Sequence, residues 1–279
     1  MSKRILTGVG LLLAAACAHR GQPDIATLSS NSDQVIWEAG QKALTKKQWE
    51  SARQHLRRIV DGFPQSEYGP AARLALGKSY FEEGGTANYI LAASAYRDFL
   101  TLYPSHPQSD QAQFQVGEAF FRQKNGPDRD QTPTQQALEE YQKLLELYPG
   151  SAYSEKARGR LRECRESMAK TEFLVGYFYQ HTRQAYRAAI SRYEGIVGDY
   201  PDYSNLAEVL FRLGQALHLA DRSAEALPHL ARLVEEYPKS PFAAQARALA
   251  ATIASRRPAL DPGGQPAPSP VPSPAFDLK

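Results

Sequence analysis

The chain has 279 residues, 42% of them hydrophobic and 23% charged, with two cysteines. That is enough apolar material for one large core or two ordinary ones, and it excludes a disordered chain, a collagen and a disulfide-stapled miniprotein. Net charge is +3, and removal of a leader carrying Lys3 and Arg4 leaves 31 basic against 30 acidic residues, so there is no electrostatic footprint for nucleic acid.

At the N-terminus a basic pair, Lys3 and Arg4, precedes an apolar run from Ile5 to Ala16. This is the form of a secretion signal. Twelve apolar residues make about 18 Å of helix, too short for a hydrocarbon core of about 30 Å. Ala14-Ala15-Ala16-Cys17 resembles the bacterial lipobox, with Leu13 one place earlier than the usual leucine. The resemblance implies lipid attachment at Cys17 and no other cofactor, with Ala18 pointing to the outer membrane. The alternative is an ordinary signal cleaved near Ala16 beside an incidental cysteine. Three acyl chains, at about 0.8 kcal/mol per buried CH₂, would hold the chain on a membrane without a spanning helix. The expected layout is a signal at 1–16 and a tether at 17–32.

Beyond the tether a repeat emerges. Aromatic-proline pairs recur at Phe63-Pro64, Tyr103-Pro104, Tyr148-Pro149, Tyr200-Pro201 and Tyr237-Pro238, spaced by 40, 45, 52 and 37 residues. Each proline follows a segment of helical period, where it stops the helix without breaking it. Twelve residues before each proline stands an alanine: Ala52, Ala92, Ala137, Ala189 and Ala226. Eight before stand Leu56, Tyr96, Tyr141, Tyr193 and Leu230, the buried stripe of a second helix. Gly40, Gly77, Gly117, Gly176 and Gly214 mark the close approach on a first helix.

This is the tetratricopeptide pattern, and it predicts an all-α, right-handed α-solenoid of five tetratricopeptide helix pairs. The third repeat carries extra residues around Gly126-Pro127, a loop signal. Gly176 follows Pro149 by 27 positions, where the other repeats have a step of 13. The surplus is close to four helical turns, so a lengthened helix between repeats 3 and 4 is expected over 154–181. Repeats 1–3 fall in 33–148, the long helix and repeats 4–5 with a terminal helix in 149–255, and a proline-rich, disordered tail in 256–279.

Counting three before and four after each glycine places Leu74, Phe81, Phe114 and Phe121 on the inner groove; in the first repeat Trp37 and Leu44 fall nearby, with Glu38 at the groove position itself. Large apolar side chains aimed at a groove predict a bound peptide bearing aromatic residues; the alternative is that they pack on one another or on the long helix. Catalytic readings do poorly, since the six histidines have no ligand spacing and no nucleophile elbow or phosphate loop is present. A metal site is not expected. Cys164 reads as a buried structural cysteine, and the paired acids Glu139-Glu140 and Glu235-Glu236 as solvated faces.

From Gln34 to Ala246 the chain resembles the BamD (ComL-type) outer-membrane assembly lipoproteins. The resemblance rests on Asp130-Gln131-Thr132, the run Tyr148 to Tyr153, the extended helix with Met168 to Glu172, Phe178-Tyr179, and Ala188-Ala189-Ile190 followed by Arg192. It implies a non-enzymatic subunit of the β-barrel assembly (BAM) complex at the periplasmic face of the outer membrane. Its partners would be unfolded outer-membrane proteins on the first three repeats and the periplasmic domains of a barrel-forming subunit on the last repeats and long helix. Arg192, Glu194 and Asp130 are the residues expected at partner contacts. Two other classes remain open. One is a periplasmic tetratricopeptide scaffold for cell-wall synthesis, which would lack the long helix and the third-repeat insertion; the other is a lipid-anchored enzyme.

Overall fold

The computed structural model describes residues 33–255. The signal, Cys17, the tether and the proline tail lie outside the described residues. The chain divides into two compact units, residues 1–69 and 70–279, and each is taken by itself.

The first unit pairs α1 (Asp33–Thr45) with α2 (Trp49–Gly62). Ile36, Gly40 and Ala43 of α1 meet Ala52, Leu56 and Ile59 of α2 at spacings of three and four, which line one face of a helix. In the second unit follow α3 (Gly69–Glu83), α4 (Thr86–Leu102), α5 (Ser109–Phe121), α6 (Thr132–Leu147), α7 (Ser154–His181), α8 (Tyr186–Asp199), α9 (Leu206–Leu219), α10 (Ser223–Glu236) and α11 (Ala243–Ser255). The described residues are all-α, and within the second unit helix pairs succeed one another as a solenoid.

The register comes from side-chain size. A Cβ built on Gly77 would lie 2.7 Å from the Tyr96 ring, one on Gly117 2.6 Å from Tyr141, and one on Gly176 2.7 Å from Tyr193. In the last repeat Leu230 takes the place of the tyrosine, 2.6 Å from a Cβ on Gly214. So the glycine of each first helix receives the large side chain eight residues before the proline. These are among the most buried side chains in the chain.

Each second helix ends the same way. The aromatic residue before the proline donates its N–H to the carbonyl four residues back, at 2.8–3.0 Å in all five repeats. Proline cannot continue the ladder. Two tight turns then lead to the next helix, closed after Tyr148 by Ser151 N–H to Tyr148 O and Ser154 N–H to Ser151 O. Ser66, Ser151 and Ser240 accept the N–H two residues on, and Ser66 and Ser151 also donate to Asp33 and Asp110, tying linker to first helix. The turns inside the first, fourth and fifth repeats each hold a residue in the left-handed region, Lys47, Gln184 and Asp221, two places before the second helix. The second repeat uses Gly84 and Gly85 there, at φ 77° and 88°.

The long helix joins two cores. Ala157 and Cys164 of α7 pack with Tyr96, Phe99, Phe114 and Tyr141, while Ala169 and Phe173 pack with Tyr193, Leu210 and Leu213. At 28 residues it spans about 42 Å. Arg165 fixes it to the α8–α9 linker, with Nη2 2.6 Å from Asp202 and 2.9 Å from the Asp199 carbonyl.

The glycine contacts give a paired prediction. Gly176→Ala pushes a methyl into a fully buried ring and lowers stability by about 1–3 kcal/mol. Gly195→Ala on α8, with nothing within 4 Å of the added Cβ, raises it by about 0.4–1 kcal/mol. Urea melts of the two variants check both signs.

Candidate partner-binding surfaces

The four residues expected on the groove occupy two helices and meet one core. Leu74 and Phe81 of α3 and Phe121 of α5 are half-buried against the core that contains Phe114. Phe81 meets Tyr89 edge-on at 5.6 Å, and Phe121 meets Tyr141 at 6.5 Å. Phe114 is not a groove residue. It is 7% exposed, its ring stacked at 5.1 Å on Tyr153 from the linker into α7 and 5.8 Å from Tyr141. The count from Gly117 places Phe114 on the right face, but the linker folds back over it. Trp37, in the first unit, stacks on Tyr68 at 5.8 Å.

The partner-contact residues do not form one site. Asp130 sits in the loop between α5 and α6 and accepts the backbone N–H and hydroxyl of Thr132 at 3.0 and 2.7 Å, which hold its carboxyl below the ordinary range. Arg192 and Glu194 lie on α8, both exposed. Arg192 donates to Glu172 of α7 at 2.9 Å, and Glu194 lies 3.9 Å from Arg222.

Three features escaped the sequence. Glu140, expected on a solvated face, is 3% exposed. It accepts from Arg97 of α4 at 2.6 Å, Gln113 of α5 at 2.7 Å and Lys143 at 3.2 Å. Burial acts to raise its pKa, but these donors outweigh it and hold the carboxyl below the usual range. Glu118 is likewise buried, receiving the Tyr141 hydroxyl at 2.7 Å and Arg160 of α7 at 2.7 Å. Glu118 follows Gly117, the seat of the Tyr141 ring, which was a usable signal; nothing in the sequence separates Glu140 from Glu139. The third feature is an exposed apolar stripe on the second half of α7, Leu174, Tyr177 and Phe178. Tyr177 stacks on His181 at 4.0 Å and lies under Arg212 of α9 at 5.3 Å.

Cys164 is fully buried, and burial pushes its thiol up to about 12. It is a core residue without the thiolate that nucleophilic chemistry needs. Among the described residues no group of three or more His, Cys, Asp or Glu is placed to hold a metal ion, and no helix is long and apolar enough to cross a membrane.

Stacked helix pairs with the large residue of one helix seated on the glycine of the other define a tetratricopeptide-type scaffold, and a tetratricopeptide repeat profile matches residues 208–240. The chain belongs to the YfiO family of outer membrane lipoproteins, whose profile matches residues 29–221. It is similar to the outer membrane protein assembly factor BamD of Neisseria meningitidis serogroup B, at 26% identity over 87% of this chain and 94% of the relative. The BamD of Caulobacter vibrioides is 26% identical over 72% of this chain, which spans 65% of that relative's length. Among solved structures, the TPR2AB domain of yeast Sti1 aligns over 79% of this chain and 82% of that one, with 16% identity and a TM-score of 0.43.

The buried carboxylate gives a pH prediction. A carboxyl whose folded pKa is lowered contributes stability above its unfolded value, near 4.5, and loses that contribution as pH falls through the folded value. Glu140→Gln is therefore less stable than wild type at neutral pH, and the gap narrows as the pH drops below about 4.5. Denaturant midpoints of both proteins across pH 3–7 check it.

Proposed function

We propose that this chain is a lipid-anchored, non-enzymatic subunit of the machinery that assembles β-barrel proteins into the outer membrane. The family match carries this reading. It runs from before α1 into the turn that follows α9, includes all of α7, and is joined by relatives named as outer membrane protein assembly factors. The face of α3 and α5 that bears Leu74, Phe81 and Phe121, with Phe114 as its buried support, holds segments of unfolded outer-membrane proteins. Arg192, on the side of α8 next to α7, and Glu194, on the side next to Arg222, contact the periplasmic domains of the barrel-forming subunit, and Asp130 adds a contact from the third-repeat loop. Cys17 carries the lipid that holds the chain at the periplasmic side of the outer membrane.

A rigid repeat scaffold suits this role physically. Its helices are held by packing within and between pairs, so side chains on neighbouring repeats keep their spacing when a disordered segment binds, and the ordering cost falls on the segment alone.

The test is purification of the full chain from detergent-extracted membranes, with identification of what accompanies it. A β-barrel outer-membrane protein with periplasmic domains is expected to co-purify with wild type. Arg192→Glu is expected to reduce that recovery several-fold while changing stability by no more than about 1 kcal/mol, the scale of an exposed ion pair. Cys17→Ser is expected to abolish incorporation of radiolabelled palmitate and release the chain from membranes. Recovery of cell-wall enzymes in place of a barrel protein refutes the assembly reading.

A further inference from the structure

The half-buried rings of the α3–α5 face are not bare. The Arg122 guanidinium stands 5.7 Å from the centre of Phe81, and the Lys124 ammonium 5.4 Å and Arg160 guanidinium 4.3 Å from that of Phe121. Three cations from the end of α5, the residues after it and α7 thus converge on two rings. At these distances a cation is attracted to the negative face of the ring, by about 0.5–1 kcal/mol at exposed sites.

The cations differ in what else engages them. Arg160 is committed, donating to Glu118 at 2.7 and 3.3 Å and to Glu163 at 3.2 Å. Arg122 and Lys124 are exposed, and no described carboxylate forms an ion pair with either. Their placement at the negative end of α5 offsets the cost of bringing them together. The Lys124 N–H donates to the Phe121 carbonyl at 3.1 Å, and Gln131 holds the loop beyond it by donating to the Gly126 carbonyl at 2.7 Å. Glu118 and Glu163 accept from Arg160, and Glu82, exposed, adjoins Phe81 on α3.

A face built to take aromatic side chains alone would expose its rings and leave cations out. Here two unpaired cations lie over ring faces, and a ligand reaching the rings meets positive charge first. We infer that the face of Phe81, Phe121, Arg122 and Lys124 recognises carboxylates on an extended polypeptide segment, with the rings receiving apolar side chains that flank those carboxylates. This deepens, and rests on, the reading that the α3–α5 face holds unfolded substrate; it names acidic residues as what that face selects. A charge-assisted pair to each cation also gives directional hold that ring contact lacks.

Calorimetry tests it with the full chain in nonionic detergent and two nonapeptides, one alternating glutamate with phenylalanine and the other with glutamine for each glutamate. The acidic peptide is expected to bind about ten-fold or more tightly than its twin at low salt, and the difference to shrink when ionic strength rises to about 0.5 M. Arg122→Gln with Lys124→Gln is expected to remove the advantage, and Lys124→Gln alone to reduce it. Lys156→Gln, at a cation over Tyr153, is expected to leave it unchanged. Twins that bind alike, no binding of either, or an advantage retained in the doubly substituted chain overturn the inference. Co-purification of a barrel protein from the same wild-type preparation separates the two levels. If it persists while the twins bind alike, the acidic preference falls and the assembly reading stands; if it too is absent, both fall.

Discussion

The contact on which the rest of the structure depends is a large side chain lying on a helix where no Cβ stands. At Gly77, Gly117 and Gly176 a tyrosine ring occupies the space an alanine methyl would need. That sets how near the two helices of a pair run. The ring's far end then decides the polar interior: the Tyr141 hydroxyl reaches Glu118, the residue after its own glycine, and Tyr193 reaches Gln180 one turn past Gly176 at 3.0 Å. A phenol buried without an acceptor would cost about 1–3 kcal/mol, so the seat of the ring and the neighbouring polar residue belong together. Arg160 adds the long helix to the same carboxylate, and in this way one steric contact reaches a third helix.

Such a contact is legible in a sequence because it depends on size and spacing. The constant step of twelve from alanine to proline marks each second helix, the glycine thirteen residues after Pro64, Pro104 and Pro201 marks the next first helix, and the surplus before Gly176 marks the long one. What stayed hidden depends on chain distant in sequence or on backbone that ordinary residues adopt. Whether Glu139 or Glu140 is buried is decided by Arg97, 43 residues upstream of the latter. The count from Gly117 sees only the helix that carries Phe114, whereas Tyr153 reaches that ring from the linker beyond the next helix. Lys47, Gln184 and Asp221 turn the chain in the left-handed region without the glycine that usually announces it, so only their matching positions identify them.

The candidate surfaces were legible to a lesser degree for a related reason. The count from the glycines reaches Phe81 and Phe121, yet the cations beside them come from the end of α5 and from α7, and no spacing rule links residue 160 to residue 121. Arg192 illustrates the reverse. It is exposed, as a contact residue should be, but already pairs with Glu172, so a partner must compete for its guanidinium or use the pair as a unit.

The dual membership of α7 has a consequence for how the second unit responds to load. In a simple array of repeats each unit senses only its neighbours, and ends can fray while the centre holds. Here one rod is built into two cores: Ala157 and Cys164 anchor it in one, Ala169 and Phe173 in the other. Both anchorages are close-packed, so a substitution that displaces the rod at one of them strains the packing at the other. The spacing between the surfaces on either side of α7 is therefore set by one unbroken helix rather than by a succession of turns.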